Sequence, residues 1–288
     1  MKTGVIGLGA MGAGMAANLH KAGYLHSVWN RTAARAEALS RKTGVTAAGS
    51  IADLAARCDL IITCVSRDED VIEMVEQIAA AVRPGTIVAD TSTVSSDTAV
   101  RAAEILKEKD ARFLDCPVSG GVEGARKGTL SMMVGGEEAV LEEAVPALSA
   151  MAANIVLVGG TGAGQACKAV NQIMCAGINE AVTEALAFGE DMGLDMDRVL
   201  DVVSRGAAGN WFLDHRGRTM LAGSFDVGFK VNLHHKDLQI CLKMAAQHPG
   251  TALPLTETTV AHYEQLMAEG HGDEDISALF RLKRHGRS

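Results

Sequence analysis

The chain has 288 residues, of which 48% are hydrophobic and 22% are charged, and its formal net charge is −8. Such a composition is typical of a globular protein, and the length fits two domains better than one core. A net negative chain without a dense internal run of Lys and Arg argues against nucleic acid as a partner. No apolar stretch is long and charge-free enough to predict a membrane span.

Six cysteines are scattered along the chain, and no two of them form a CxxC pair. This pattern predicts reduced thiols, and with them a cytoplasmic location.

A glycine motif lies between a predicted strand at 3–6 and a predicted helix at 13–21. It reads Gly7, Leu8, Gly9, Ala10, Met11 and Gly12. In this setting the first glycine allows a tight turn, the second lets a pyrophosphate approach the backbone, and the third lets helix and strand pack closely. The start of the helix offers N–H groups and a positive dipole end to the phosphates. The motif predicts dinucleotide binding, with a purely structural turn as the alternative.

The end of the second predicted strand, 26–29, bears on the choice of cofactor. It is followed by Asn30, Arg31 and Thr32, where NAD-binding folds usually place an acid that accepts from the ribose 2′-hydroxyl. An acid would repel a 2′-phosphate, whereas the Arg31 guanidinium can pair with one. The segment therefore predicts a preference for NADP, with NAD possible. The alternative is that Arg31 is a surface charge that stacks on adenine.

Strand and helix patterns continue to alternate up to residue 158, which predicts a parallel, doubly wound sheet of the Rossmann type. Ligands of such sheets bind at the carboxyl ends of the strands. Val65 and Ser66 follow one predicted strand and Thr93 follows the next, so we expect them near the ribose or nicotinamide, although helix capping explains Thr93 equally well.

A serine and two glycines, Ser119, Gly120 and Gly121, follow the predicted strand 112–115. Exposed backbone N–H groups and one hydroxyl suit a carboxylate, and a tight turn is the alternative.

The strand signals stop after residue 164. Five helices are predicted beyond it, at 165–192, 195–204, 210–221, 233–247 and 255–269. The sequence therefore predicts an α/β fold in which an NADP-binding Rossmann domain, 1–163, is followed by an all-α domain, 164–288, for substrate binding and oligomerisation. We expect a long helix to join the two, and a homodimer or homotetramer to form.

The long helix carries Lys168, with Asn171 and Gln172 three and four residues further on, so the three share one helix face. A lysine that has lost its water gives up a proton more readily, which makes Lys168 a candidate acid and base; the alternative is an ordinary solvated lysine. The His234-His235-Lys236-Asp237 run fails as a metal site because adjacent histidines point to different helix faces. Lys236 instead offers a second lysine near the cofactor. Trp211 is expected in the core or in the wall of a pocket.

Taken together, these segments resemble the β-hydroxyacid dehydrogenase family over essentially the whole chain. The resemblance rests on four signatures in order, at 7–12, at 115–121 with its continuation 128–136, at 162–168, and at 236–238. It implies that Ser119 and Gly120 hold the substrate carboxylate or hydroxyl, that Lys168 is the catalytic acid and base, and that Lys236 touches cofactor and substrate.

Different segments of the chain resemble different branches of the family. Many members carry asparagine four residues after the lysine, where this chain has Gln172 preceded by Asn171. That pair and the segment 270–279 resemble tartronate semialdehyde reductases. The segment 28–32 is similar to the NADPH-using glyoxylate and succinic semialdehyde reductases, which usually lack the double glycine at 120–121.

The activity implied is reversible hydride transfer between the nicotinamide and the carbonyl carbon of a small oxo-acid. Lys168 would donate the proton, Asn171 or Gln172 would orient the substrate, and the 119–121 segment would hold its carboxylate. The best expectation is a tartronate semialdehyde (2-hydroxy-3-oxopropionate) reductase. The alternatives are a 3-hydroxyisobutyrate dehydrogenase that works oxidatively with NAD, or an NADPH-dependent glyoxylate or succinic semialdehyde reductase. An alternative of another class is a non-catalytic NADPH-binding scaffold.

Overall fold

The structure is a computed structural model that describes residues 1–226, 228–248 and 250–284. It divides the chain into two compact units, Met1–Lys168 and Ala169–Ser288, here called the N-terminal and C-terminal units. One long helix, Ala163–Asp191, begins in the first unit and continues into the second. The boundary expected between residues 163 and 164, and the roles expected of the two halves, stay predictions.

The N-terminal unit is built on a nine-stranded sheet. Its strands are β1 (Thr3–Ile6), β2 (Leu25–Trp29), β3 (Thr46–Ala47), β4 (Leu60–Thr63), β5 (Ile87–Asp90), β6 (Arg112–Asp115), β7 (Val118–Ser119), β8 (Leu130–Gly135) and β9 (Ala152–Gly159). They lie in the order β3-β2-β1-β4-β5-β6-β8-β7, with β9 paired to β8. The first six strands of this order run parallel, as in dinucleotide-binding folds.

The strand order reverses between β1 and β4, which lie side by side. In open α/β sheets, the ligand crevice forms at this reversal, outside the carboxyl ends of the strands. The glycine motif follows β1 directly, so the fold places it at the expected position. The predicted doubly wound architecture is confirmed.

Seven helices connect these strands: α1 (Gly12–Lys21), α2 (Ala33–Thr43), α3 (Ile51–Ala55), α4 (Asp68–Ala79), α5 (Ser96–Lys107), α6 (Gly121–Lys127) and α7 (Glu138–Leu148). Apolar side chains cover both faces of the sheet. Val5 and Ile62 belong to the cluster on one face, and their chain neighbours Ile6 and Ile61 belong to the cluster on the other. Consecutive side chains of a strand point to opposite faces, and because both faces are covered, β1 and β4 are buried at every position.

The expectation of an all-parallel sheet is wrong around β8, which pairs antiparallel with both β6 and β7. Only residues 120–129 join β7 to β8, and this segment contains the short helix α6. A parallel crossover needs a dozen or more residues, so the chain returns antiparallel. Neither β7 nor α6 was predicted, because each is too short to show a period.

The C-terminal unit is helical after the long helix α8 (Ala163–Asp191). Its further helices are α9 (Met196–Val203), α10 (Trp211–Leu221), α11 (Val231–Ala246), α12 (Pro254–Ala268) and α13 (Phe280–Lys283), with a 3₁₀ turn at Ile276–Leu279 before α13. The five predicted helices are present, and their ends lie within two residues of the predictions. The segment 276–283 was not predicted to be helical. None of the described helices combines the length and the apolar character needed to cross a bilayer.

The core of the C-terminal unit contains Phe212, Tyr263 and Phe280, all buried. Trp211 is not part of it, since 60% of this residue is exposed. Of the two places expected for Trp211, the core is wrong, and the wall of a pocket stays a prediction. Trp211 is the first residue of α10, and helix geometry turns it away from the side that Phe212 presents to the core.

Candidate active site

The three glycines of the first motif have different surroundings. Gly7 has φ +95°, and a Cβ atom added there would lie 2.2 Å from the Cys64 carbonyl oxygen. A Cβ on Gly12 would lie 2.0 Å from the Gly7 carbonyl oxygen, whereas a Cβ on Gly9 would meet no atom within 4 Å. Gly7 and Gly12 are therefore required by internal packing, and Gly9 leaves open space that a ligand can use.

The start of α1 is suited to an anion. Met11 caps this helix without a side-chain hydrogen bond to any described residue, and its first turn carries no acidic residue. The positive end of the helix dipole is thus not offset by a local carboxylate. Together with the space at Gly9, this arrangement fits the pyrophosphate of a dinucleotide.

The polar atoms of Asn30 are used within the protein. Asn30 Oδ1 accepts a 2.8 Å hydrogen bond from the Leu8 N–H, and Nδ2 donates to the Thr32 carbonyl at 3.0 Å. Asn30 therefore shapes the glycine loop that leads into the cofactor cradle. Arg31 is different, because 70% of its side chain is exposed and its Nη2 donates to Asp70 Oδ1 at 2.7 Å.

The two strand-end segments at 65–66 and 92–93 are linked by a buried carboxylate, Asp90, at the end of β5. Asp90 Oδ1 accepts from the Thr63 hydroxyl at 2.6 Å and from the Ser92 hydroxyl at 2.7 Å. The Ser92 Oγ in turn accepts from the Val65 N–H at 2.9 Å. Burial raises the pKa of Asp90 to about 6, although the hydroxyl donors favour its charged form.

The segment 119–121 has a backbone that favours glycine. Ser119 lies in β7 opposite Ser131, and the next two residues have φ +120° and +60° at Gly120 and Gly121. The Gly120 carbonyl accepts from the Gly124 N–H at 2.9 Å, which starts helix α6. Two positive φ values in succession explain the double glycine.

Lys168 is buried, with only 7% of the residue exposed. Its Nζ donates a 3.0 Å hydrogen bond to the carbonyl oxygen of Val118, the residue directly before Ser119. The structure therefore brings the lysine and the 119–121 segment together. Because a buried polar group needs hydrogen-bond partners, the Val118 carbonyl offsets part of the cost of burying the Lys168 side chain.

Lys168 lies in helix α8, and the start of this helix is anchored by Asp115 at the end of β6. Asp115 Oδ1 accepts from the Gly162 N–H at 2.8 Å and Oδ2 accepts from the Gln165 N–H at 2.9 Å. Gln165 itself bonds the 92–94 segment, donating to the Ser92 carbonyl at 2.9 Å and accepting from the Val94 N–H at 3.1 Å. Burial raises the pKa of Asp115, and the backbone N–H groups oppose that shift. Sequence reasoning assigned no role to Asp90, Asp115 or Gln165.

In the C-terminal unit, Asn171, Gln172 and Lys236 are joined through Asp237. Gln172 Nε2 donates to Asp237 Oδ2 at 2.6 Å, and the Lys236 ammonium lies 2.8 Å from Asp237 Oδ1. Asn171 Nδ2 donates to Gln172 Oε1 at 2.8 Å. Both polar atoms of the Gln172 side chain are therefore engaged, and Asp237 is a buried partner that the sequence analysis did not single out.

The remaining candidates of this unit have local partners. The Trp211 ring stacks on His215 with centroids 4.1 Å apart, and Cζ of Arg216 lies over the same ring, 5.5 Å from its centroid. His234 is buried between Tyr263, whose Oη lies 3.0 Å from its Nδ1, and the Gln172 carbonyl, 3.2 Å from its Nε2. In the described parts of the chain, no group of three His, Cys, Asp or Glu residues is placed to hold a metal ion.

A glycine cradle at the reversal point of a β3-β2-β1-β4-β5-β6 sheet, open at Gly9, defines the N-terminal unit as a dinucleotide-binding domain of an oxidoreductase. Comparison with known families agrees: residues 2–160 match the NAD binding domain of 6-phosphogluconate dehydrogenase, and residues 162–283 match the NAD-binding domain of NADP-dependent 3-hydroxyisobutyrate dehydrogenase.

Individual relatives align over nearly the full length. The chain is 38% identical to the 2-hydroxy-3-oxopropionate reductase of Escherichia coli, over 97% of this chain and 96% of that protein. It is 33% identical to the NAD-dependent L-serine dehydrogenase of Pseudomonas aeruginosa, over 96% of each chain. The Mycobacterium tuberculosis 3-hydroxyisobutyrate dehydrogenase, solved with L-serine, has a TM-score of 0.89 at 33% identity and covers 98% of this chain and 99% of its own.

The chain belongs to the β-hydroxyacid dehydrogenase family, and it is an NAD(P)-dependent hydroxyacid dehydrogenase. The family assignment made from the sequence is confirmed, as is the expectation of an enzyme that uses a nicotinamide cofactor.

Proposed function

We propose that this enzyme is an NADPH-preferring reductase of a small semialdehyde or oxo-acid, with 2-hydroxy-3-oxopropionate (tartronate semialdehyde) as its best substrate. The observation that carries the proposal is the buried Lys168 ammonium, hydrogen-bonded to the carbonyl that precedes Ser119. The similarity to the Escherichia coli 2-hydroxy-3-oxopropionate reductase supports the choice of substrate.

Lys168 acts as the proton donor. The bound nicotinamide supplies the hydride that reduces the substrate carbonyl. As the carbonyl oxygen gains negative charge, the Lys168 ammonium stabilises it and transfers a proton to it, giving the hydroxyl product. In the oxidative direction, neutral Lys168 takes the proton from the hydroxyl.

The remaining roles follow from position and chemistry. The Ser119 hydroxyl and the Gly120 and Gly121 N–H groups hold the substrate carboxylate. Asn171 orients the polar atoms of the substrate, while Gln172, whose amide is bonded to Asp237 and Asn171, acts as a positioning residue. Lys236, fixed by Asp237, contacts cofactor and substrate, and Trp211 forms a wall of the pocket.

The cofactor is held by four segments. The loop at residues 7–12 takes the pyrophosphate, and Arg31 binds the 2′-phosphate with Asn30 and Thr32 beside it. Val65, Ser66 and Thr93 lie toward the ribose and the nicotinamide. The basis for NADP is the guanidinium at the end of β2, in the place where NAD-binding folds carry an acid.

A second candidate is NAD-dependent oxidation of a β-hydroxy acid such as 3-hydroxyisobutyrate. One observation favours it: Arg31 already forms an ion pair with Asp70, which offsets the charge that would attract a 2′-phosphate. The NAD-dependent relative from Pseudomonas aeruginosa also supports this alternative.

The substrate is tested by steady-state kinetics on the purified enzyme. Reduction is measured with glyoxylate and with the semialdehydes of tartronate, succinate and methylmalonate. Oxidation is measured with 3-hydroxyisobutyrate and with L-serine. The proposal predicts the highest kcat/KM for tartronate semialdehyde with NADPH. Higher kcat/KM for a hydroxy acid with NAD would favour the second candidate. Tight NADPH binding without turnover on any of these compounds would contradict both.

Two properties of the protein outside the site are also proposed. Helix α8 exposes Val170, Met174 and Phe188, and Met192 directly after its end is exposed as well, which supports a homodimer or homotetramer. Light scattering on a size-exclusion column would give the mass of the assembly. The six free cysteines support a reducing, cytoplasmic location.

A further inference from the structure

The guanidinium of Arg31, which is expected to bind the 2′-phosphate of the cofactor, already has a partner in the protein. Arg31 follows β2, and its Nη2 lies 2.7 Å from Oδ1 of Asp70 in the first turn of α4. The Arg31 side chain is 70% exposed and that of Asp70 is 16% exposed, so the arginine reaches outward over a carboxylate that is largely covered. This ion pair belongs wholly to the N-terminal unit.

Asp70 is one of three acids in the first turn of α4, with Asp68 and Glu69. Asp68 is bonded to the start of α5, since its Oδ1 accepts from the Ser95 and Thr98 hydroxyls at 2.7 and 2.6 Å. Asp70 is the acid of this turn that forms the ion pair with Arg31.

A guanidinium binds carboxylates and phosphates through the same N–H groups and in the same plane. Because Nη2 of Arg31 is already bonded to Asp70, a 2′-phosphate that approaches Arg31 either displaces this carboxylate or shares the guanidinium with it. A cofactor with a free 2′-hydroxyl brings no anion to this place and does not compete.

We propose that Asp70 is a specificity-determining residue that competes with the 2′-phosphate for Arg31 and so limits the preference for NADP over NAD. The inference rests on the proposed role of Arg31 in cofactor binding. Its consequence is that removing the Asp70 charge strengthens binding of 2′-phosphorylated ligands and leaves binding of 2′-hydroxyl ligands unchanged.

The test is calorimetric binding of two adenosine probes, adenosine 2′,5′-bisphosphate and adenosine 5′-monophosphate, which need no turnover. For Asp70→Asn, the Kd of the bisphosphate is expected to fall by about twofold to fivefold, the range that a partly exposed ion pair supports. The Kd of the monophosphate is expected to stay within about twofold of that of the wild type.

The matched control is Asp59→Asn. Asp59 pairs with Arg83 at the same 2.7 Å distance, but it lies just before β4, at the amino end of this strand and thus opposite to the carboxyl ends where the cofactor is proposed to bind. We expect the control to bind both probes as the wild type does. A gain in bisphosphate affinity equal to that of Asp70→Asn would mean that net charge alone is responsible, and would overturn the proposal.

Arg31→Gln and the double variant separate this proposal from the proposed function. Arg31→Gln should weaken the bisphosphate and not the monophosphate; no effect on either would contradict the cofactor assignment itself. In the Arg31→Gln background, adding Asp70→Asn should no longer strengthen bisphosphate binding. If Arg31→Gln weakens the bisphosphate while Asp70→Asn leaves it unchanged or weaker, the cofactor assignment holds and the competition is refuted.

Discussion

The two units hold their candidate site residues by different means. In the N-terminal unit, the buried carboxylate of Asp115 accepts from the backbone N–H groups of Gly162 and Gln165 and so fixes main chain. In the C-terminal unit, the buried carboxylate of Asp237 accepts from the side chains of Gln172 and Lys236. A site formed by main-chain atoms can be recognised from the sequence, because it requires glycines and strand ends at fixed spacing. A site built on side-chain pairs shows itself only once the fold is known.

The largest effect is expected at Lys168, which lies in the long helix α8. Lys168→Ala should lower kcat by about 10² to 10⁴, the range of general acid catalysis, because the alkoxide then lacks its proton donor. NADPH binding, followed by the change in nicotinamide fluorescence, should stay near that of the wild type. Lys127→Ala, which removes an exposed lysine of the same unit, serves as the control. A kcat near the wild-type value would remove Lys168 from the mechanism.

A substitution at Asp90 tests how much a buried carboxyl group of the N-terminal unit contributes to the free energy of unfolding. The Asp90 pKa of about 6 lies above its unfolded value of 3.8, so its protonated form favours folding. The contribution of protonated Asp90 to the free energy of unfolding is fully present below pH 3.8 and is lost as the pH rises through about 6. At 1.36 kcal/mol per pKa unit, this contribution amounts to about 3 kcal/mol.

The measurement for Asp90 is the free energy of unfolding of the wild type minus that of Asp90→Asn, taken at several pH values. The difference should fall between pH 4 and pH 7. Asp97→Asn, at an exposed position of α5, should show no such trend relative to the wild type. A flat difference for Asp90→Asn would mean that the carboxyl titrates normally.

A substitution at Gly9 tests whether a site formed by main-chain atoms can lose ligand affinity while the stability of the protein stays unchanged. Gly9→Ala should leave the melting temperature unchanged, since its Cβ meets no protein atom within 4 Å. It should raise the Kd for NADPH by about tenfold, because the methyl group occupies space that the pyrophosphate needs. Gly49→Ala, also open within 4 Å, should change neither quantity. Unchanged NADPH affinity in Gly9→Ala would argue that the ligand does not approach this loop.

The smallest effect is expected at Asp237. Asp237→Asn keeps an acceptor for Gln172 and loses the charge that fixes Lys236, whose side chain is partly exposed. We expect kcat/KM to fall by about threefold to tenfold, mostly through KM, because Lys236 remains but is less well placed. Glu264→Gln, which neutralises an exposed acid of the same unit, should have no effect. An equal loss in both variants would show that the Asp237 contacts are not specific.

The fold could be predicted largely from the sequence because its signals are local. The glycine motif, the strand ends and the Gly120-Gly121 pair each mark a backbone requirement that glycine or a strand terminus satisfies. The reversed pairing of β8 was not foreseeable in the same way, because it follows from the length of the segment 120–129 and not from the pattern of any one strand.

The candidate site was predicted less completely, for a physical reason. Asp70 stands 39 residues from Arg31 and Asp237 stands 65 residues from Gln172, so neither pair shares an element or a spacing rule. A usable signal did exist for Asp90 and Asp115. Each is a charged residue at the end of an apolar strand, where burial is costly unless hydrogen bonds offset it.

The most direct test of the proposed function is the ratio of kcat/KM for NADPH to kcat/KM for NADH, with tartronate semialdehyde as the substrate. The wild type should prefer NADPH by about tenfold or more, the range that hydrogen bonds to a charged phosphate support. In Arg31→Gln the ratio should fall toward one through loss of NADPH efficiency alone. A wild-type ratio of one or less, unchanged in Arg31→Gln, would contradict the account and favour the NAD-dependent oxidation of a β-hydroxy acid.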